Sequence, residues 1–349
     1  MNKKVSSVLK YALWIAVAVI LLYFSFRGVN WKDFGDALRY CKWEWVIVSM
    51  FLGALAFLVR SFRWRMIITP IDPSTSWVTT FNAYNICMIA NLVLPRVGEV
   101  VRSGYVVKHS QRDAEGKHLV TMDKALGTVV MDRVWDIVSL LVVLAIMVAL
   151  MWDRFRTFFH SDVMAGAGSN LHVGRWAVVL LVAGVVFLFL CWLFREKGSI
   201  WARVWNFMKG IGDGLRSSFQ MDNVWLFILF TALMWLIYWL MSATVLWALQ
   251  GIDTSAMSPE MAGALEKVNQ LGLVDALFLM MMGAISSVIP VPGGFGAFHT
   301  VVGGALAAVY GIPFEVGLIF ATLSHESQVI CDIICGATSY AFETGRKGK

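Results

Sequence analysis

An arginine-rich group that follows an apolar run could bind an anion. It begins with an asparagine, which is followed by a proline and then by a glutamate that has one arginine on each side. Proline ends a helix, glycine lets the backbone approach a ligand, and arginine binds phosphate or carboxylate through paired hydrogen bonds. The alternative is that the arginines anchor a membrane end and the glutamate pairs with one of them, but the interrupted helix favours a site. The predicted substrate-binding residues are Asn91, Pro95, Arg96, Gly98, Glu99 and Arg102.

An acidic group lies inside a later apolar run. Asp132 and Asp136 are four residues apart and share a helix face, and Arg133 directly follows Asp132. Charged side chains in an apolar span are costly, so they face the interior of a bundle and find partners there. These three residues could lock helices together as an ion pair, or they could balance the charge of Arg96 or Arg102 or couple to protons. We assign them to a charge-coupling set, and both interpretations stay open.

A loop rich in proline and glycine, residues 290–296, interrupts another apolar stretch. Two prolines and three glycines in seven residues cannot form a continuous helix. Free backbone N–H groups at the start of the next helix could bind an anion, and a histidine lies in its first turn. The predicted binding residues are Pro292, Gly293, Gly294, Gly296 and His299.

The last apolar stretch carries His325, Glu326 and Asp332, of which we add His325 and Glu326 to the charge-coupling set. These two are adjacent and project about 100° apart on a helix, so they need not contact the same partner. The histidines and carboxylates are reminiscent of a zinc site or an intramembrane hydrolase, but no HExxH motif and no recognised His/Cys spacing is present. There is also no GxSxG serine and no Walker A motif. We therefore predict no metal, no cofactor, no catalytic residue and no direct use of ATP.

The amino-acid composition indicates which class of protein carries these residues. The 349 residues are 58% hydrophobic and 15% charged, whereas a soluble domain is about 25% charged, and the mean hydropathy is +0.69. These values exclude a disordered chain, a soluble enzyme and a secreted disulfide scaffold. The net charge of +6 comes from short basic blocks between apolar runs, which is the positive-inside pattern and not a nucleic-acid surface. We predict an all-α, polytopic membrane helix bundle in one integral membrane domain, residues 1–349.

The basic blocks also predict the topology. The run at 77–94 has basic blocks on both sides and is too short for two spans, so we expect it to be a broken, re-entrant helix. The stretch at 273–310 is broken by the proline–glycine loop and enters from the opposite side. This arrangement is typical of an inverted-repeat transporter, with half-repeats 1–150 and 176–349 and a site where the broken helices meet; eight plain helices with proline kinks are the alternative. Both termini are then cytoplasmic, and the six full spans are 11–26, 45–59, 119–151, 176–194, 224–249 and 314–342.

In this order the motifs resemble the membrane (flippase) domain of bacterial lysylphosphatidylglycerol synthases and the stand-alone membrane proteins similar to it. The resemblance covers essentially the whole chain. Two residues depart from the family pattern, which usually has Glu in place of Asp132 and Glu after the glycine loop where this chain has His299, so the role of that second acid does not carry over. The matching segments are Arg63-Trp64, the block from Asn91 to Arg102, the group Asp132, Arg133 and Asp136, and the loop at 292–296.

The resemblance implies lipid translocation between leaflets. It does not imply aminoacylation, because the soluble transferase domain is absent from this sequence. Our leading hypothesis is a multi-pass, flippase-like transporter of the bacterial inner membrane that is not an enzyme. Its expected partner is a membrane lipid with an anionic head group, with no nucleic acid, and a homodimer is left open. The rival hypotheses are a membrane enzyme acting on a lipid phosphate or polyprenyl carrier, and an accessory scaffold of envelope lipid or glycan synthesis.

Overall fold

The computed structural model describes residues 3–112, 114–153 and 223–347. Within these ranges every regular element is helical, and we number the helices in chain order. The predicted span at 176–194 and most of the loops on either side of it lie outside the described residues. The helices are α1 (Lys3–Phe26), α2 (Trp31–Tyr40), α3 (Trp43–Ile68), α4 (Trp77–Val93), α5 (Val97–His109), α6 (Met122–Leu150), α7 (Val224–Leu249), α8 (Pro259–Val268), α9 (Leu273–Ser286), α10 (Ala297–Tyr310) and α11 (Phe314–Lys347).

Five of the described helices are long and apolar enough to cross a membrane, or up to seven spans if each of two strongly bent pairs counts as one. One pair joins Trp14–Phe26 to α2 at 92°, and the other joins α8 to α9 at 103°. The chain is therefore an all-α, multi-pass membrane protein, as predicted.

The chain divides into two compact units. The first comprises Met1–Val129 with Trp225–Lys349, and the second is Val130–Val224. Both interrupted segments and the last helix belong to the first unit, whereas the acidic group at 132–136 belongs to the second. The single integral domain and the half-repeats at 1–150 and 176–349 stay predictions.

The first interrupted segment is a helical hairpin. Helix α4 ends at Val93 and α5 begins at Val97, so the predicted interruption at Leu94-Pro95 is confirmed. The two arms run antiparallel, because Gly98 lies against Cys87 and the guanidinium of Arg102 lies 5.8 Å from the ring centre of Tyr84. The arms have 17 and 13 residues, which makes them about 26 and 20 Å long. Neither arm alone reaches the roughly 30 Å of a hydrocarbon core, and the open ends of the two arms lie next to each other.

The second interrupted segment is also a hairpin. Helices α9 and α10 have 14 residues each, or about 21 Å, and a 3-10 turn at Pro292–Gly294 lies between them. They too run antiparallel: Tyr310 Oη donates a hydrogen bond to Asp275 Oδ1 at 2.9 Å near one end, and Gly283 lies against the ring of Phe298 near the other. The Pro292–Tyr310 stretch reaches the length of a span only when the turn is joined to α10.

Helix α11 holds the two hairpins in one bundle. It packs on α10 where Gly317 lies against the backbone of Gly303. It packs on α4 through Asn85, whose Nδ2 donates a buried hydrogen bond to Ser339 Oγ at 2.9 Å. Small residues at such crossings let helix backbones approach closely in a membrane. The relative position of the two helix breaks is therefore fixed by one continuous helix.

Two short helices were not predicted. Helix α2 begins after Asn30, whose side chain accepts hydrogen bonds from two N–H groups of its first turn, and α8 begins after Ser258 with a proline at its first position. The Asp33 carboxylate accepts hydrogen bonds from the N–H and the hydroxyl of Ser258, so the two helices are tied together. The cap residue and the following Pro259 were the sequence signals that could have revealed α8.

Candidate functional site

The two helix breaks meet. A side chain on Gly293, in the second break, would lie 3.2 Å from Cδ2 of Leu92, which is near the end of α4. The sequence analysis placed a site where the two broken helices come together, and the structure brings these two breaks into contact. Two interruptions of helical backbone thus adjoin each other inside the first unit.

The first break is built around Asn91 and Arg96. The backbone N–H of Gly98 donates a hydrogen bond to Asn91 Oδ1 at 2.8 Å, so the asparagine spans the turn and fixes the start of α5. Arg96 has φ 65°, and it is the one non-glycine residue with positive φ in the described part of the chain. This conformation costs an ordinary residue about 1–2 kcal/mol. The side chain of Arg96 is exposed, whereas that of Arg102 is fully buried.

Arg102 belongs to a buried cluster of arginine and aromatic side chains. Its guanidinium carbon lies 4.6 Å from the ring centre of Trp64. Arg60 lies 5.2 Å from the ring centre of Tyr84, which Arg102 also faces, and donates a hydrogen bond to Tyr238 Oη at 2.8 Å. Guanidinium groups stack on aromatic faces at these distances, which orients the plane of the fork.

The structure corrects the interpretation of the basic end of the second span. The sequence analysis ended that span at residue 59, before the first of these arginines. Helix α3 in fact continues to Ile68, and both Arg60 and Arg63 are buried within it. Arg63 lies 5.7 Å from the ring centre of Phe227 in α7. The helix continues because aromatic side chains from other helices pack against the two arginines. A single sequence does not show such partners.

The second break has an unusual backbone. Gly293, Gly294 and Gly296 have φ of 58°, 79° and 79°, a region that glycine enters at little cost. At Gly296 the break approaches α1 so closely that a side chain would lie 2.9 Å from the carbonyl oxygen of Ala18. The N–H groups of Gly294 and Phe295 donate to carbonyl groups within the turn. These two groups are therefore used by the turn, and the anion site predicted at the start of α10 stays a prediction.

Two histidines and a glutamate converge on the second break. His325 in α11 lies with Nε2 2.8 Å from the carbonyl oxygen of Gly293 and Nδ1 3.1 Å from Glu326 Oε1. The same carboxylate oxygen lies 3.5 Å from Nε2 of His299 in α10. His299 is 1% exposed and its Nδ1 has no hydrogen-bond partner among the described residues. The sequence analysis had assigned His299 and the adjacent pair to separate sets, and the structure joins them.

The acidic group lies on α6 in the second unit. Asp132 is buried, and Arg133 Nη1 lies 3.4 Å from Asp136 Oδ2, one turn further on. The helix places Asp132 and Asp136 on one face, as the four-residue spacing predicts. Charge coupling through these three residues stays a prediction.

One comparison with known proteins gives a match. A protein-family model described as the lysylphosphatidylglycerol synthase TM region matches residues 11–336. No curated protein and no solved structure matches the chain. The matched region includes both helix breaks, the buried arginines and the His299, His325 and Glu326 cluster.

Proposed function

The chain belongs to the family of the lysylphosphatidylglycerol synthase TM region, and on that premise we propose that it moves a phospholipid or another phosphate-bearing lipid between the leaflets of a membrane. The membrane is the bacterial cytoplasmic membrane, and both termini lie in the cytoplasm. The protein acts as a transporter and not as an enzyme.

The observation that carries the proposal is the meeting of the two helix breaks at Leu92 and Gly293. Backbone that is not helical is tolerated at membrane depth only where it is buried in protein or lines a wet cavity. Discontinuous helices that meet near the midplane are also the usual binding sites of secondary transporters. A polar head group would pass at this junction while the acyl chains stay in lipid.

Charge supports an anionic head group. Arg96 is exposed at the tip of the first hairpin, beside the junction, and its guanidinium matches the geometry of a phosphate. Arg102, six residues further along in α5, lies in the arginine–aromatic cluster. Arg96 would make the first contact with the phosphate, and Arg102 would supply a fixed positive field.

The driving force follows from what the sequence lacks. Because no Walker A motif is present, movement runs downhill or is coupled to an ion gradient. The residues proposed to balance charge or to carry coupling protons are Asp132, Arg133, Asp136, His325 and Glu326.

The test is a translocation assay in liposomes. The purified full chain is reconstituted with a fluorescent phospholipid analogue, and dithionite is added outside to quench the label in the outer leaflet. The wild-type protein should expose the inner-leaflet label to dithionite, and Arg96→Gln should slow this at least tenfold. Arg112→Gln is the matched control, because Arg112 is an exposed arginine in the loop after α5. Equal rates for wild type and Arg96→Gln would remove the assigned site, and protection like that of protein-free liposomes would remove the function.

A second candidate function is favoured by one observation, the convergence of His299, His325 and Glu326. Such a set could perform acid–base chemistry on a lipid phosphate or a polyprenyl carrier. Mass spectrometry of lipids extracted after incubation with the protein separates the two functions. A new lipid product that Glu326→Gln abolishes would support the enzyme, and unchanged lipids together with translocation support the transporter.

A further inference from the structure

We propose that His299, His325 and Glu326 bind a divalent transition-metal ion of the zinc class. The ligands are His299 Nε2, His325 Nδ1 and Glu326 Oε1. This inference does not depend on lipid movement, because it concerns the donor atoms of the cluster and can be tested without a transport assay.

The distances suit a single shared ion. Zinc binds imidazole nitrogen and carboxylate oxygen at about 2.0–2.1 Å in tetrahedral geometry, which places neighbouring ligand atoms about 3.3 Å apart. Glu326 Oε1 lies 3.1 Å from Nδ1 of His325 and 3.5 Å from Nε2 of His299, on either side of that value. The ligand atoms of all three residues lie within 4.8 Å of one another. The three ligand atoms are therefore close enough together to share one ion.

The hydrogen bond from His325 to Gly293 decides which nitrogen faces the carboxylate. A carbonyl oxygen can only accept, so Nε2 of His325 carries a proton and donates it. Nδ1 is then the nitrogen that can offer a lone pair to a cation beside Glu326 Oε1, 3.1 Å away. A positive ion between the two atoms would bind both. An imidazole that donates its other N–H to a backbone carbonyl is also the usual arrangement of a metal ligand.

The surroundings of the cluster also suit a bound cation with one open coordination position. His299 is 1% exposed, and Phe26 and Phe298 lie beside its ring at centroid distances of 5.7 and 6.5 Å. Glu326 keeps 37% of its side chain exposed, which leaves room for a fourth ligand such as water or a phosphate oxygen. Three protein ligands with one open position are typical of zinc sites that act on a bound molecule.

The sequence spacing conceals this set. His325 and Glu326 are neighbours on one helix, whereas His299 precedes them by 26 residues and lies on another helix. The antiparallel packing of α10 on α11, with Gly317 against Gly303, brings the three together. No motif defined by fixed spacing contains them, which is why the sequence analysis predicted no metal.

The experiment measures metal binding by the purified full chain in detergent. The protein is stripped with a chelator, and Zn²⁺ uptake is measured by equilibrium dialysis with elemental analysis; Co²⁺ then serves as a spectroscopic probe. Wild type should bind one equivalent of Zn²⁺ and should give the visible absorption of four-coordinate cobalt. Glu326→Gln and His325→Gln should each weaken binding by at least about tenfold. Zn²⁺ should also raise the thermal midpoint of wild type but not of Glu326→Gln.

Glu343→Gln is the matched control. Glu343 is also a partly buried glutamate in α11 that faces a histidine, since its Oε2 lies 3.1 Å from His109 Nε2, but no second histidine completes a set there among the described residues. This variant should bind zinc like wild type. The proposal is overturned if wild type takes up no zinc. It is also overturned if Glu343→Gln loses as much binding as Glu326→Gln, or if the two ligand variants bind like wild type while their thermal midpoints show that they are folded.

Discussion

The side chain of Asn91 accepts a hydrogen bond from the backbone N–H of Gly98, 2.8 Å away, and so joins the last turn of α4 to the first turn of α5 across the break between them. The bond requires the two arms to be close, and Gly98 makes this approach available because it has no side chain. A Cβ at this position would overlap the carbonyl oxygen of Cys87. The first hairpin thus depends on one glycine.

Gly98→Ala should lower the free energy of unfolding by about 2 kcal/mol, because the backbone carbonyl of Cys87, which cannot turn away as a flexible side chain could, obstructs the new methyl group. Gly104→Ala on the same helix is the control. Nothing lies within 4 Å of its added Cβ, so it should raise stability by about 0.5–1 kcal/mol, the usual difference between alanine and glycine in a helix. Unfolding in mixed micelles gives both values, and equal effects of the two substitutions would contradict the packing described for Gly98.

Gly293→Ala should damage the second break. Its φ of 58° lies in the left-handed region, and an added Cβ would lie 2.7 Å from the ring of Phe295. We expect a loss of about 1–2 kcal/mol in stability and at least a tenfold slower lipid movement in the liposome assay. Gly304→Ala, in the helix that follows, has open space at its Cβ and should leave lipid movement unchanged. Unaltered translocation by Gly293→Ala would show that the turn does not shape the proposed pathway.

Arg96→Gly separates backbone strain from charge. Because Arg96 has φ 65°, glycine should relieve its strain and raise the free energy of unfolding by about 1 kcal/mol. The same change removes the guanidinium, so lipid movement should fall at least tenfold while the protein becomes more stable. Thermal midpoints and dithionite kinetics of one preparation check both parts. A variant that is more stable and fully active would assign Arg96 to the turn alone.

Arg102→Lys tests the stacked arginine. Lysine keeps the positive charge but has no planar group to lie on the Trp64 ring, from whose centre the guanidinium carbon is 4.6 Å away. We expect a loss of about 1–2 kcal/mol in stability. Arg112→Lys is the control for the same chemical change at an exposed position, and it should stay within about 0.5 kcal/mol of wild type. Equal stability of the two variants would mean that charge alone, without stacking, accounts for the buried arginine.

The helix breaks could be predicted from the sequence because their causes are local. Proline at position 95 and the glycines around position 293 restrict or free the backbone where they stand, whatever surrounds them. The length of α3 could not be predicted in this way. Arg60 and Arg63 lie buried within this helix. Tyr84 and Phe227 offer ring faces to these arginines, and Tyr238 accepts a hydrogen bond from Arg60.

The composition of the candidate site was predicted in part. Asn91, Arg96 and the glycines were identified from residue type and position, and the structure places them at two adjoining breaks. The convergence of His299 with His325 and Glu326 depends on how closely α10 packs on α11. That distance is set by Gly303 and Gly317, which look ordinary in an apolar stretch. The sequence analysis therefore considered a zinc site among the histidines and carboxylates but rejected it, because no motif of fixed spacing contains these three residues.

The hydrogen bond between Asn85 and Ser339 also has a consequence for the order of events in the cell. The two residues are 254 positions apart, and a ribosome adding about 5–20 residues per second needs roughly 10 to 50 s to cover that distance. During that interval the first hairpin lacks the helix that supplies the hydrogen-bond partner of Asn85. The bundle that holds the two breaks together is therefore complete only after the final helix has been made.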